Sequence, residues 1–120
     1  MRFKLKTLCI STLCIIASTL SQAQEWPTKP VRIITPFPVG SGPEGVVRLL
    51  ADKLGKTWGK SVIVENKPGG NGFIAIDNFK RGANDGHDLI QLDNVHLSAY
   101  PHLFKKLPYD PKADYVPVSG

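Results

Sequence analysis

The chain has 120 residues, with 15 Lys/Arg against 10 Asp/Glu and two cysteines, Cys9 and Cys14. Both cysteines and three of the basic residues lie in the first 23 positions, so residues 24–120 carry 12 basic against 10 acidic residues and no thiol. That excludes from this portion a disulfide-stapled domain, a thiolate zinc site and a cysteine nucleophile, and so mild a charge does not point to nucleic acid.

Arg2, Lys4 and Lys6 form a basic start, Leu8 to Leu20 is apolar, and Ser21-Gln22-Ala23 offers small residues where a signal peptidase cuts. The apolar run falls short of the roughly 20 residues a membrane span needs. The order predicts a cleaved signal peptide over 1–23 and export to the periplasm. Leu8 and Leu13 precede the two cysteines where lipoprotein processing prefers a small residue, so a soluble mature chain is expected.

Val31 to Thr35 is short, β-branched and apolar, as in a buried parallel strand. Pro36 to Gly42 breaks the pattern, and Pro43 suits the first turn of a helix. From Glu44 to about Trp58 a helical stripe is predicted at Val46, Val47, Leu50, Leu54 and Trp58, with Gly55 and Gly59 as stop points. A second strand is predicted at Ser61 to Glu65, then a glycine-rich loop at Asn66 to Gly72 and a helix from Phe73 to about Arg81. Asn84-Asp85-Gly86 is a turn signal, Asp88 to Leu92 a third strand, and Asp93 to His96 a polar loop. One turn of helix is expected near Pro101 to Phe104, and Tyr115 to Val118 reads as a strand just beginning.

Alternating strands and helices predict the α/β class, a parallel sheet with flanking helices. Right-handed crossovers then bring the loops Phe37–Gly42, Asn66–Gly72 and Asp93–His96 to the carboxyl edge of the sheet, where open α/β sheets hold ligands. Gly40 and Gly42 let the backbone approach a bound group, the helix behind them offers unpaired N–H groups, and Ser41 adds a hydroxyl. Gly69, Gly70 and Gly72 repeat the arrangement ahead of the next helix. Each loop alone is equally an ordinary tight turn; the pair on one edge is the argument for an anion site. Asn94, His96 and Ser98 are further candidate donors to a carboxylate.

A second reading starts from Gly40, Gly42 and Gly45, which match G-x-G-x-x-G formally, with Glu65 as an acidic residue about 20 positions on. It would make the protein a nucleotide- or dinucleotide-dependent α/β enzyme. A phosphate loop of the Gly-Lys-Ser/Thr type is absent, since Pro43-Glu44 comes directly after Gly42. The histidines at 87, 96 and 102 lack metal-ligand spacing, and Ser41 lacks the G-x-S-x-G setting of a nucleophile. Neither a metal, a cofactor nor catalysis is expected.

Four stretches carry a resemblance: Trp26 to Ile34 (WPTKPVRII), Pro36 to Gly42 (PFPVGSG), Val64 to Gly72 (VENKPGGNG), and Leu107 to Pro111 (LPYDP) with Asp114 to Val118 (DYVPV). On these the chain resembles the tripartite tricarboxylate transporter solute receptors, the Bug family of periplasmic binding proteins. The resemblance implies a two-lobed type II binding protein that closes on a carboxylate-bearing solute, with the two glycine loops as pincers on one carboxylate. It implies a receptor that hands its solute to membrane transporter subunits or to a sensing partner, a monomer when full length. Residues 24–120 would then supply part of the first lobe, up to the crossover into the second. The ligand-binding set expected on these grounds is Phe37, Val39, Gly40, Ser41, Gly42, Gly70, Asn71, Gly72, Asn94 and His96. Two places depart from the family pattern. Pro43-Glu44 stands where Thr-Asp is usual, and Phe73-Ile74-Ala75 where Asn-Ile-Gly is usual.

Overall fold

The structure, a computed structural model, describes residues 25–119; the signal-peptide expectation for 1–23 lies outside the described residues. Strand β1 (Val31–Thr35) is central. It pairs in parallel with β2 (Val62–Asn66), from Val31 opposite Val62 to Thr35 opposite Asn66. On its other side it pairs in parallel with β3 (Asp88–Ile90), from Arg32 opposite Asp88 to Ile34 opposite Ile90. The order β2-β1-β3 leaves β1 covered on both edges and, as predicted, buried on both faces, with Val31, Ile33, Ile34 and Thr35 almost inaccessible.

Helix α1 (Gly42–Trp58) covers one face. Its residues Val47 and Ala51 join Ile33 in a core that Val62, Val64 and Leu89 complete. The inward line runs through Val47 and Ala51, both buried, and half-buried Leu54 and Trp58, at offsets of four, three and four residues, which keeps it on one side of a 3.6-residue helix. The observed stripe is therefore rotated from the predicted one. Val46 and Leu50 point outward, 66% and 48% exposed. Gly55 does not stop the helix; it lets the helix approach β2, where a Cβ would stand 3.3 Å from the Lys60 carbonyl. Gly59, left-handed at φ 63, is the stop.

Helix α2 (Phe73–Lys80) packs across β1 and β3 on the opposite face, where strand alternation aims Ile34, and buries Ala75 and Ile76. On the same face Arg32 grips Asp88 with two hydrogen bonds, 3.0 Å from Nε and 2.8 Å from Nη2, and reaches Glu65 Oε2 with Nη1 at 2.9 Å. One side chain thus ties all three strands.

Beyond Ile90 the chain departs from expectation. β3 ends early, and the predicted polar loop becomes α3 (Asn94–Ser98), capped by Asp93, whose carboxylate accepts from Val95 N at 3.4 Å. α4 (Tyr100–Leu103) comes next. Residues 115–118 form no strand. Tyr115 instead stacks on Phe79, and Tyr109 and Phe104 close on Phe73, so aromatic packing holds this segment against α2.

Candidate functional site

The first loop, residues 36–41, leaves β1 at the carboxyl edge and opens α1. The sequence makes it a rigid loop. Phe37 N donates to Thr35 Oγ1 at 3.3 Å, and Ser41 N to the Pro38 carbonyl at 3.2 Å. Thr35 Oγ1 donates to Gln91 Oε1 at 2.7 Å, while Gln91 Nε2 donates to the Pro43 carbonyl at 2.9 Å. Gln91 therefore straps the start of α1 to the end of β3. On the other side, Asn66 Nδ2 donates to the Phe37 carbonyl at 2.9 Å and fixes the first loop to the second.

Glu44 is the least expected member. It sits in the first turn of α1, only 3% exposed, and is held by the Arg48 guanidinium one turn on and by the Gly40 N–H, 3.2 Å from Oε2. Arg48 and then the Gly40 N–H hold its carboxyl below the usual carboxylate range. Arg48 Nη2 also reaches Asn66 Oδ1 at 3.4 Å. A buried carboxylate beside a helix N-terminus would repel an anion, and the Arg48 pairing offsets that charge.

The second loop turns through three left-handed residues, Gly70 (φ 56), Asn71 (φ 55) and Gly72 (φ 84). Gly72 N donates to the Gly69 carbonyl at 3.0 Å, closing the turn ahead of α2. The third segment meets this loop through His96, whose Nε2 lies 3.1 Å from the Asn71 carbonyl and whose Nδ1 lies 3.2 Å from the Asp93 carbonyl. Hydrogen bonds thus join the three segments into one rim.

The expected ligand contacts divide in two. Gly42 and Ser41 are placed as predicted at the start of α1, where the N–H groups of Gly42 and Glu44 have no helical acceptor. Ser41 Oγ is buried with no hydrogen-bond partner among the described residues. Val39 is 73% exposed at the rim, Gly70 and Asn71 are exposed, and Asn94 is exposed at the start of α3. The others are committed elsewhere. Gly40 gives its N–H to Glu44, Gly72 is buried with its N–H spent on the turn, and Phe37 is tied by both backbone groups. His96 is buried, both ring nitrogens against carbonyls. In these four the groups named are engaged within the protein and shape the loops. Phe73, a departure from the usual pattern, turns into the aromatic cluster, 5.9 Å from Tyr100 and 5.3 Å from Phe104 between ring centroids.

Sequence reading missed Gln91, Glu44, Arg48 and Asn66. The four-residue spacing of Glu44 and Arg48 in a first helical turn is a legible ion-pair signal. Gln91 and Asn66 act across long sequence distances and carry no local signature. Among the described residues no three His, Cys, Asp or Glu side chains gather as a metal site. A cavity of about 430 Å³ lies at the opposite, amino edge of the sheet, lined by Trp26, Thr28, Trp58 and Lys60. None of its lining residues belongs to the three loops.

Comparison with known proteins agrees with this fold. Residues 46–120 match the tripartite tricarboxylate transporter family receptor. A UPF0065 protein of Bordetella bronchiseptica is 35% identical over 115 residues, 95% of this chain and 34% of that protein. MatC from Rhodopseudomonas palustris, solved with bound malate, superposes with a TM-score of 0.71 at 34% identity, over 78% of this chain and 32% of its own. A second R. palustris protein, solved with adipate, gives 0.64 at 28% identity, over 72% of this chain and 29% of its own. The chain therefore spans about a third of the length of the relatives it matches. With more than half of its residues matched, and with the parallel sheet shared by the solved relatives, the chain belongs to the tripartite tricarboxylate transporter receptor family.

Proposed function

We propose that the protein is an exported solute receptor whose carboxyl-edge loops hold a small dicarboxylate, and that it binds this solute without transforming it. The observation that carries the reading is the start of α1. Two N–H groups without a helical acceptor and the buried Ser41 hydroxyl, unpartnered among the described residues, lie there, and Arg48 offsets the charge of Glu44 beside them. Gly70 and Asn71, exposed on the second loop, would supply further backbone donors, and Asn66 ties that loop to the first. Malate and adipate, the compounds bound in two structural relatives, both carry two carboxylates. Delivery to transporter subunits, a periplasmic location and the role of residues 24–120 as part of a first lobe belong to the same proposal.

The nucleotide reading draws no support from the site. Glu65, the acidic residue it needs, is engaged by Arg32 Nη1 at 2.9 Å and Lys67 Nζ at 2.7 Å. The Gly40 N–H, which would face a pyrophosphate, is engaged by Glu44. Calorimetric titration of the protein with malate, adipate and a nucleoside diphosphate separates the two. Heat from the dicarboxylates alone supports the receptor; heat from the nucleotide alone overturns it.

A further inference from the structure

His96 is 4% exposed, and both of its ring nitrogens meet carbonyl oxygens, Asp93 at 3.2 Å and Asn71 at 3.1 Å. A carbonyl can only accept. A neutral imidazole has one N–H, so it serves one carbonyl and turns a lone pair on the other. The doubly protonated ring serves both, and burial keeps water from replacing an unmet bond. The Asn71 contact lands on the tip of the second loop. There Gly72, at φ 84, lies so close that a Cβ would overlap His96 Nε2. The loop and the ring are fitted to each other. The titratable groups around the ring are few. Tyr100 of α4 presents its ring at 5.0 Å, the Tyr109 hydroxyl donates to the His96 carbonyl, and the Asp93 carboxylate is turned to Val95 N. Asn71 and Gly72 bring no charge from the loop side.

We propose that His96 is a positioning residue whose protonation clamps the second glycine loop to the segment after β3, so that the site takes a carboxylate more tightly as pH falls. The protonated ring fixes the loop's backbone donors before the ligand arrives and adds a positive charge beneath them. The effect on affinity rests on the dicarboxylate reading; the clamp itself does not.

Nitrogen NMR of the His96 ring, followed as pH is lowered while carboxylates stay ionised, tests the clamp without any ligand. The ring should become doubly protonated while the Asn71 and Gly72 amide signals move in the same step and Gly72 exchange with solvent slows. Malate affinity should rise by about tenfold over that step, the scale of one charge-assisted hydrogen bond. His96→Gln, which offers one uncharged donor, should remove the pH step while keeping loop order; His96→Phe should lose both. A ring that titrates while the Asn71 and Gly72 amides stay still overturns the clamp, as does a neutral ring throughout with the loop ordered. Because the ring is read in the unaltered protein, the test stands even where a variant misfolds. Loop and ring titrating together with no malate or adipate binding would uphold the clamp and overturn the dicarboxylate reading.

Discussion

Two residues at the site have effects set by their surroundings alone. Gly72 needs a left-handed backbone, and a methyl group there would collide with His96 Nε2. Gly72→Ala should therefore cost about 2 kcal/mol in urea unfolding, above the cost of a strained φ alone. Asn66 donates to the Phe37 carbonyl and sits beside Arg48. Asn66→Ala should cost about 1 kcal/mol, the worth of one lost hydrogen bond, and should weaken dicarboxylate binding by loosening the first loop. Loss of stability with unchanged binding would place Asn66 outside the site. At this scale the sequence was half legible. The turns that hold Gly42, Ser41, Gly70 and Asn71 are legible, because glycine-rich segments ahead of helices present backbone donors in few ways. His96 and Gly40, expected among the ligand contacts, also have partners within the protein that were not read, the Asn71 carbonyl and the Glu44 carboxylate four residues on. Partners so distant in the chain, or set by the rotamer of one buried acid, leave no mark on spacing.

The elements hold the loops in place through the sheet. Arg32 joins β1 to Asp88 of β3 and Glu65 of β2 on the face that α2 covers only in part. Its side chain is one-third exposed, so solvent screens part of the gain. Arg32→Ala should cost about 2 kcal/mol in chemical denaturation, because two partly buried carboxylates lose their counter-ion, and Arg32→Lys should recover only part of it for want of the two-pronged geometry. An Arg32→Ala loss within a few tenths of a kcal/mol would show the network to be decorative. The strands and α1 were legible because β1 is apolar on both faces and α1 keeps one helical stripe. The rotation of that stripe has a plain cause. Val46 and Leu50 are as apolar as Val47 and Leu54, and only the position of Ala51 against Ile33 shows which side is buried. α3 was missed because Asp93-Asn94 reads as a turn until the Asp93 carboxylate is seen capping Val95.

Over the whole molecule, acid is the condition that acts on every part at once. Lys29 first, and then the His87 N–H, hold the Asp85 carboxyl down at about 2. Lys67 and Arg32 lower Glu65, Arg48 lowers Glu44, and Lys80 lowers Asp114. Each is lower in the folded chain than in the unfolded one, so each contributes stability that is complete above the ordinary carboxylate range. That stability is lost as pH falls through the folded values. The contribution of these carboxylates should thus be flat near pH 6, and unfolding midpoints should drop steeply between about pH 4 and about pH 2. A midpoint that holds through that window would mean these pairs contribute little. The carboxyl-edge loops are the proposed site, and even weak binding of a dicarboxylate there would perturb their backbone amides. Amide shift mapping detects such binding. Titrating millimolar malate into the nitrogen-labelled protein should move the amides of Ser41, Gly42, Glu44, Gly70 and Asn71 together and leave the Trp26 and Trp58 indole signals still. Shifts centred on Trp26 and Trp58, or no shift at the carboxyl-edge loops with saturating malate, would contradict the assignment of those loops as the carboxylate site.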